Sequence, residues 1–194
     1  LLLLSFFLLY SFCYSWILDM EKRTKNLMTK KIVITGPESC GKTTLVNSLA
    51  ELYNCNIVNE FARKYLKNLN RKYVYEDLLK IGKGQEREEN KILKLEKKIM
   101  LCDTGIHTIK IWSIDKFKKC DPWFYNKKED YDHYLICYPD IPWEKDTLRE
   151  NPYDRKRIFK LYLNELNNKS YTIISGSEIN RIKQAQKIIN KYIF

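Results

Sequence analysis

Gly36-Pro37-Glu38-Ser39-Cys40-Gly41-Lys42-Thr43 follows the apolar run Ile32-Val33-Ile34 and leads into Thr44-Leu45-Val46-Asn47-Ser48-Leu49-Ala50. The pattern G-x-x-x-x-G-K-[ST] therefore stands between a strand-like run and a helix-like one, the context its chemistry requires. Backbone N–H groups of such a loop, together with the N-terminus of the following helix, hold phosphate oxygens. Lys42 reaches the β- and γ-phosphates, and the Thr43 hydroxyl ligates Mg²⁺. Gly36, Pro37, Glu38, Ser39, Cys40, Gly41, Lys42, Thr43 and Thr44 are thus the expected nucleotide-binding segment, with ATP and Mg²⁺ as the expected cofactors.

The rest of the chain alternates. Runs with strand character at Lys31–Thr35, Asn56–Asn59, Lys98–Cys102, His133–Tyr138 and Ser170–Ile174 are separated by helical patterns. Five strands divided by helices and opening on a phosphate loop predict an α/β fold of the P-loop NTPase type. Its parts are a five-stranded, mainly parallel sheet, right-handed crossovers, helices on both faces and a short lid. In such a sheet, sites gather at the carboxyl ends of the strands. The first helix is expected over Lys42–Tyr53, with Leu45, Leu49 and Leu52 facing the sheet. A long charged helix is expected over residues 76–97, with Leu78, Leu79, Ile92, Leu95 and Ile99 as its apolar contacts. Gly82-Lys83-Gly84 predicts a bend or break in it, and Gln85-Glu86-Arg87-Glu88-Glu89 reads as a solvated face. The last helix, Glu178–Tyr192, turns Ile182, Ile188 and Ile189 inward.

At 194 residues the chain accommodates one domain with a sheet covered on both faces. Its formal charge of +11, from 35 Lys plus Arg against 24 Asp plus Glu, favours anionic ligands. The charge is spread as Lys, with no compact basic block interleaved with aromatics, so nucleic acid is not an expected partner. Cys13, Cys40, Cys55, Cys102, Cys120 and Cys137 show no C-x-x-C spacing and signal neither zinc nor a disulfide framework. Cys40 is singular in position, beside a helix N-terminus whose dipole lowers a thiol pKa.

Leu1 to Leu18 carry no charge and are followed by Lys22, Arg23, Lys25, Lys30 and Lys31. Two readings of residues 1–27 stand side by side. One is a membrane anchor followed by a basic linker, oriented by the positive-inside rule. The other is an over-extended start, since the chain begins with Leu, and a start at Met28 leaves an ordinary single-domain length over 28–194. In both, the 28–194 domain faces the cytoplasm, and a membrane is a partner only in the first. A homo-oligomer is compatible with either.

Asp103 ends the run Ile99-Met100-Leu101-Cys102, as a Walker-B-type carboxylate does when a buried strand delivers it to Mg²⁺. The alternative is an Asp that caps a helix starting at Thr104. Glu60 ends the second strand and Arg63 stands one turn beyond, so both can face the space beside the phosphate loop. There a carboxylate bonds sugar hydroxyls or takes a proton, and an Arg orients the phosphoryl group. The plainer reading is a surface pair at i, i+3. From Pro139 to Arg157, turn formers and arginines read as a lid that closes over the transferring group. Trp143 in it either stacks on a planar ring or packs on the domain edge. Asp154 reads as the N-cap of a helix over 155–167. His107 reads as a helix-surface residue and His133 as a strand-end one.

Four stretches, Gly36-Pro-Glu-Ser-Cys-Gly-Lys-Thr-Thr-Leu45, Asn59-Glu60-Phe61-Ala62-Arg63-Lys64-Tyr65, Cys102-Asp103-Thr104 and Pro142-Trp143-Glu-Lys-Asp146-Thr-Leu148-Arg149, together resemble the ribosylnicotinamide kinase domain of the bacterial NadR family. The likeness runs from about Thr29 to the end of the chain. The resemblance implies transfer of the ATP γ-phosphate to the ribose 5′-hydroxyl of nicotinamide riboside, giving nicotinamide mononucleotide. It further implies catalytic roles for Lys42, Glu60, Asp103 and Arg149, substrate contacts from Glu60, Arg63, Asp103 and Trp143, and metal ligation by Thr43 and Asp103. The chain has Asp103-Thr104-Gly105 where the resemblance leads one to expect Asp-Thr-Asp, and Asp146-Thr147-Leu148-Arg149 where it leads to Asp-Gly-Leu-Arg. The family's adenylyltransferase and helix-turn-helix regions are not in this sequence, so neither adenylyl transfer nor repression is expected of it. A kinase for another nucleoside or nucleotide, or a nucleotide-dependent ATPase or GTPase switch, remains the competing expectation.

Overall fold

Ile32-Val33-Ile34 lies at the middle of the sheet and is fully buried, alternate side chains entering opposite faces. The computed structural model describes residues 28–95, 97–127 and 130–193; the apolar N-terminal segment lies outside them. The strands are β1 (Lys30–Thr35), β2 (Asn56–Val58), β3 (Ile99–Asp103), β4 (His133–Cys137) and β5 (Tyr171–Ile174). Their order is β2-β3-β1-β4-β5 and every pairing is parallel, with Ile34 opposite Asp103 and Thr35 opposite Ile136. Seven helices are described: α1 (Lys42–Tyr53), α2 (Phe61–Lys67), α3 (Tyr75–Leu93), α4 (Ile106–Phe117), α5 (Pro122–Asn126), α6 (Arg155–Glu165) and α7 (Glu178–Ile193). All five expected strands are present. Among the described residues no helix is long and apolar enough to cross a membrane.

One face of the sheet packs Ile32, Ile34, Leu101 and Leu135 against Leu45, Val46 and Leu49 of α1 and Ala185 and Ile189 of α7. Ile182 and Ile188 of α7 flank this core, as the apolar spacing predicts. The other face packs Val33, Met100, Tyr134 and Ile136 against Ile111 of α4 and Ile158, Phe159 and Tyr162 of α6. Leu52 corrects the expected α1 stripe: it is 51% exposed, and Val46 and Ala50 take the inward positions beside Leu45 and Leu49.

The helix α3 is continuous through Gly82-Lys83-Gly84, against the expected break. Both glycines are buried, and each is where an aromatic ring meets the helix backbone. A Cβ on Gly84 would lie 2.0 Å from the Phe61 ring, and one on Gly82 would lie 2.8 Å from Phe124. Burial also corrects the solvated-face reading nearby, since Gln85 and Glu89 point inward. Gln85 accepts the Phe61 N–H at 3.0 Å and donates to Glu89, which accepts from the Tyr131 hydroxyl at 2.6 Å. Gly84→Ala tests this packing. Helix propensity favours Ala by about 1 kcal/mol, but an atom 2.0 Å from a ring forces overpacking that costs about 1–3 kcal/mol. Net destabilisation of up to about 2 kcal/mol in urea unfolding is expected; a gain in stability would mean that Phe61 is free to move.

Other local readings change as well. Leu95 is 56% exposed rather than an apolar contact. The helix expected over 155–167 ends at Glu165, and Asp154 makes no side-chain cap bond; it accepts from Arg157 Nε at 2.6 Å instead. The five described cysteines are free, with Cys40, Cys102 and Cys137 buried.

Candidate active site

The phosphate loop leaves the carboxyl end of β1 and packs against β4. A Cβ at Gly36, whose φ is +132°, would sit 2.6 Å from the Cys137 carbonyl oxygen, so only glycine lets the loop turn there. Lys42, at the start of α1, donates to the Gly36 and Pro37 carbonyls at 3.0 and 2.7 Å, folding its ammonium over the loop. Burial works against that charge, yet the negative potential of Cys40, Tyr162, Glu60 and Asp103 outweighs it and holds the Lys42 pKa above its ordinary value.

Cys40 lies inside the loop and donates from Sγ to the Pro37 carbonyl. Burial pushes its thiol up, but a hydrogen bond with the Cys137 thiol and the charges of Lys42 and Arg181 bring it down to about 7.

β3 delivers Asp103 beside the loop. Asp103 is 4% exposed, its Oδ2 accepts from the Thr43 hydroxyl at 2.7 Å, and its Oδ1 has no hydrogen-bond partner. The capping alternative does not hold, because α4 starts at Ile106 with Gly105 at its N-cap. Among the described residues no group of three or more His, Cys, Asp or Glu side chains is placed to hold a metal ion by itself. Thr43 and Asp103 beside a phosphate site nevertheless suit Mg²⁺, which takes one or two protein oxygens and completes its shell with phosphate and water. A buried carboxylate oxygen without a partner is what such an ion would satisfy.

From the loop a cavity of about 500 Å³ extends away past the carboxyl ends of the strands. Glu60 and Arg63 line one side, with Arg63 Nε 3.8 Å from Glu60 and its Nη1 donating to Asp146 of the lid at 2.8 Å. The i, i+3 pair thus exists, but it faces the cavity. Burial raises the Glu60 pKa; the Lys42 charge opposes this and Asp103 reinforces it. Across the cavity, α4 presents Thr108, Ile111, Trp112 and Asp115 on one face at i, i+3, i+4 and i+7. Tyr162 of α6 closes the floor: its hydroxyl bonds Thr108, and burial lifts its pKa to about 12. At the far rim, Lys116 lies 3.9 Å over the Tyr73 ring and pairs with Glu150 at 2.8 Å.

The lid, residues 138–154, contains neither helix nor strand. Glu38 accepts the Glu150 and Asn151 N–H groups at 2.9 and 3.0 Å, and Ser39 accepts the Glu144 N–H at 2.9 Å, so the phosphate loop itself anchors the lid. Arg149 lines the cavity and donates to the Glu144 carbonyl at 2.5 Å. Arg157 turns away to Asp115 and Asp154. Trp143 is not among the cavity-lining residues; its ring faces the Arg155 guanidinium at 5.8 Å, which favours the domain-edge reading. His107 corrects its surface assignment: it is fully buried and bonds Thr35 through Nε2 at 2.8 Å, and burial lowers its pKa to about 3. His133 sits at the start of β4 among Tyr192, Ser170 and Thr172.

A family model described as an AAA domain matches residues 31–181. The trifunctional NAD biosynthesis/regulator protein NadR of Escherichia coli (strain K12) is 26% identical over 162 residues, 79% of this chain and 40% of that protein. The chain therefore spans about two-fifths of this relative's length. A crystal structure of a NadR protein in complex with NR aligns with a TM-score of 0.73 at 19% identity, covering 86% of this chain and 51% of that one. A thymidylate kinase from Ehrlichia chaffeensis aligns with a TM-score of 0.60 at 17% identity, over 86% of this chain and 99% of its own. At such identities the structural likeness is one of fold.

Proposed function

The chain belongs to the AAA domain family, and from that membership we propose that it is a small-molecule kinase that uses Mg²⁺ and ATP to phosphorylate the ribose 5′-hydroxyl of nicotinamide riboside. The observation that supports an acceptor kinase over a nucleotide switch is the cavity beyond the phosphate loop. A switch needs room for one water, whereas this cavity of about 500 Å³, which takes in the phosphate loop over residues 36–44, continues between Glu60, Arg63 and the inner face of α4, where a nucleoside fits beside the γ-phosphate. The choice of nicotinamide riboside follows the motif resemblance and the NadR relative.

In this reading the acceptor oxygen attacks the γ-phosphorus, the bond to the ADP oxygen breaks, and the hydroxyl proton passes to Glu60. Lys42 binds the β- and γ-phosphates, and Arg63 and Arg149 orient the transferring group. Thr43 and Asp103 would hold Mg²⁺, which would neutralise charge on the phosphates. The planar ring lies against Trp112 and Tyr73, in place of the Trp143 contact expected from sequence.

Steady-state kinetics with Mg-ATP against nicotinamide riboside, adenosine, cytidine and thymidine test the proposal. A kcat/KM for nicotinamide riboside about 10²-fold above the others is expected. Trp112→Ala should raise its KM by about 10-fold while leaving the KM for ATP little changed. Activity confined to an ordinary nucleoside would reassign the acceptor, and an equal loss of ATP binding in Trp112→Ala would place Trp112 on the nucleotide side.

A further inference from the structure

Two arginines outside the cavity lining grip the outer side of the phosphate loop. Arg155, the first residue of α6, donates from Nη1 to the Ser39 carbonyl and the Ile141 carbonyl, each at 2.9 Å. Arg181, in the first turn of α7 and only 3% exposed, donates from Nη1 to the Cys40 carbonyl at 2.9 Å. Its Nε bonds the Gly176 carbonyl at 2.8 Å, and its Nη2 bonds the Tyr138 carbonyl at 2.9 Å and the Asp140 carboxylate. Successive carbonyls of the loop are thus held by guanidiniums from two different helices.

The consequence follows from peptide geometry. In a planar trans peptide the C=O and the N–H of the next residue point in opposite directions, and there is no cis bond here. A Ser39 carbonyl held outward turns the Cys40 N–H inward, and a Cys40 carbonyl held outward turns the Gly41 N–H inward. Inward is where a phosphate loop receives its anion. Ser39 itself sits at φ +53°, a left-handed conformation that a non-glycine residue keeps only when its surroundings fix it. Arg181 also joins the loop to Tyr138 and Asp140 at the root of the lid and to Gly176 after β5, so three segments share one fastening.

We propose that Arg155 and Arg181 are positioning residues for polyphosphate binding, which fix the Ser39 and Cys40 carbonyls outward and so pre-aim the Cys40 and Gly41 N–H groups at the phosphates. The proposal rests on the nucleotide-binding reading of the loop and extends it to residues outside the cavity lining. Pre-aimed donors cost no reorganisation when the anion arrives, which is why their loss falls on phosphate affinity.

The test is calorimetric binding of tripolyphosphate and of Mg-ATP to the wild-type chain, Arg155→Lys and Arg181→Lys, together with the KM for the acceptor. Lysine keeps the charge but cannot reproduce the planar fork. Each variant is expected to weaken tripolyphosphate and ATP by the same factor, about 10-fold, with acceptor KM unchanged. Unchanged tripolyphosphate affinity in both variants would overturn the proposal. So would a loss confined to ATP, which would mean that the arginines serve the base, or a parallel rise in acceptor KM, which would mean that they act only on overall structure. Arg155 is partly exposed at a helix start, so Arg155→Lys decides alone if Arg181→Lys does not fold. A wild-type chain that binds neither ligand would overturn the phosphate-loop reading itself, a result distinct from equal affinities across the variants.

Discussion

Lys42→Ala is expected to lower phosphoryl transfer by about 10³-fold or more while leaving the fold intact. The ammonium donates to the Gly36 and Pro37 carbonyls and sits in negative potential, so the bonds it makes are polar. Its removal costs little packing. What is lost is a point charge aimed at the β- and γ-phosphates, where charge accumulates as the bond to the leaving oxygen breaks. Activity assays paired with thermal unfolding separate the two effects. Near wild-type turnover would remove Lys42 from the chemistry, and a large drop in Tm would make its role structural.

Glu60→Gln is expected to lower kcat by about 10²-fold with ATP affinity little changed. Glutamine keeps the shape and one acceptor oxygen but cannot take the proton of an attacking hydroxyl. The pH dependence gives the sign. Burial raises the Glu60 pKa, and only the ionised carboxylate serves as base, so wild-type kcat should fall as pH drops through a pKa above the ordinary glutamate value. The Gln variant should lose that acidic limb. A weaker ATP affinity with normal kcat would instead assign Glu60 to the nucleotide.

The phosphate loop and its flanking strand and helix could be read from sequence because their signals are local. Glycine spacing, an apolar run and a helix-forming run lie within twenty residues of one another, and Lys42–Tyr53 matches the expected helix at both ends. β1, β3 and β4 were equally legible, since parallel strands buried on both faces form short apolar runs. Errors arose where one segment's environment is set by a distant one. Gly82 and Gly84 read as a helix break because intrinsic propensity cannot anticipate Phe124 and Phe61 packing onto the bare backbone. Glu89 read as solvated because Tyr131, which donates to it, is 42 residues away in the chain and reaches it only in the fold.

The acceptor side was half visible. Glu60, Arg63 and Arg149 follow from strand-end and lid positions, and they line the cavity. The α4 wall was missed, although Thr108, Ile111, Trp112 and Asp115 share one helical face in the sequence. That spacing gives a face, and only the β3–α4 connection turns it toward the loop. Trp143 illustrates the converse: a lid aromatic is conspicuous in sequence, but the lid's anchoring to Ser39 leaves its ring against Arg155.

The central claim is that the chain moves a phosphoryl group to an organic acceptor rather than to water. Incubating the purified chain with Mg²⁺, γ-phosphate-labelled ATP and nicotinamide riboside, then separating the products, measures this directly. Label is expected in nicotinamide mononucleotide, formed in step with ADP and lost in Lys42→Ala. Label recovered only as inorganic phosphate, at a rate indifferent to the nucleoside, would contradict it.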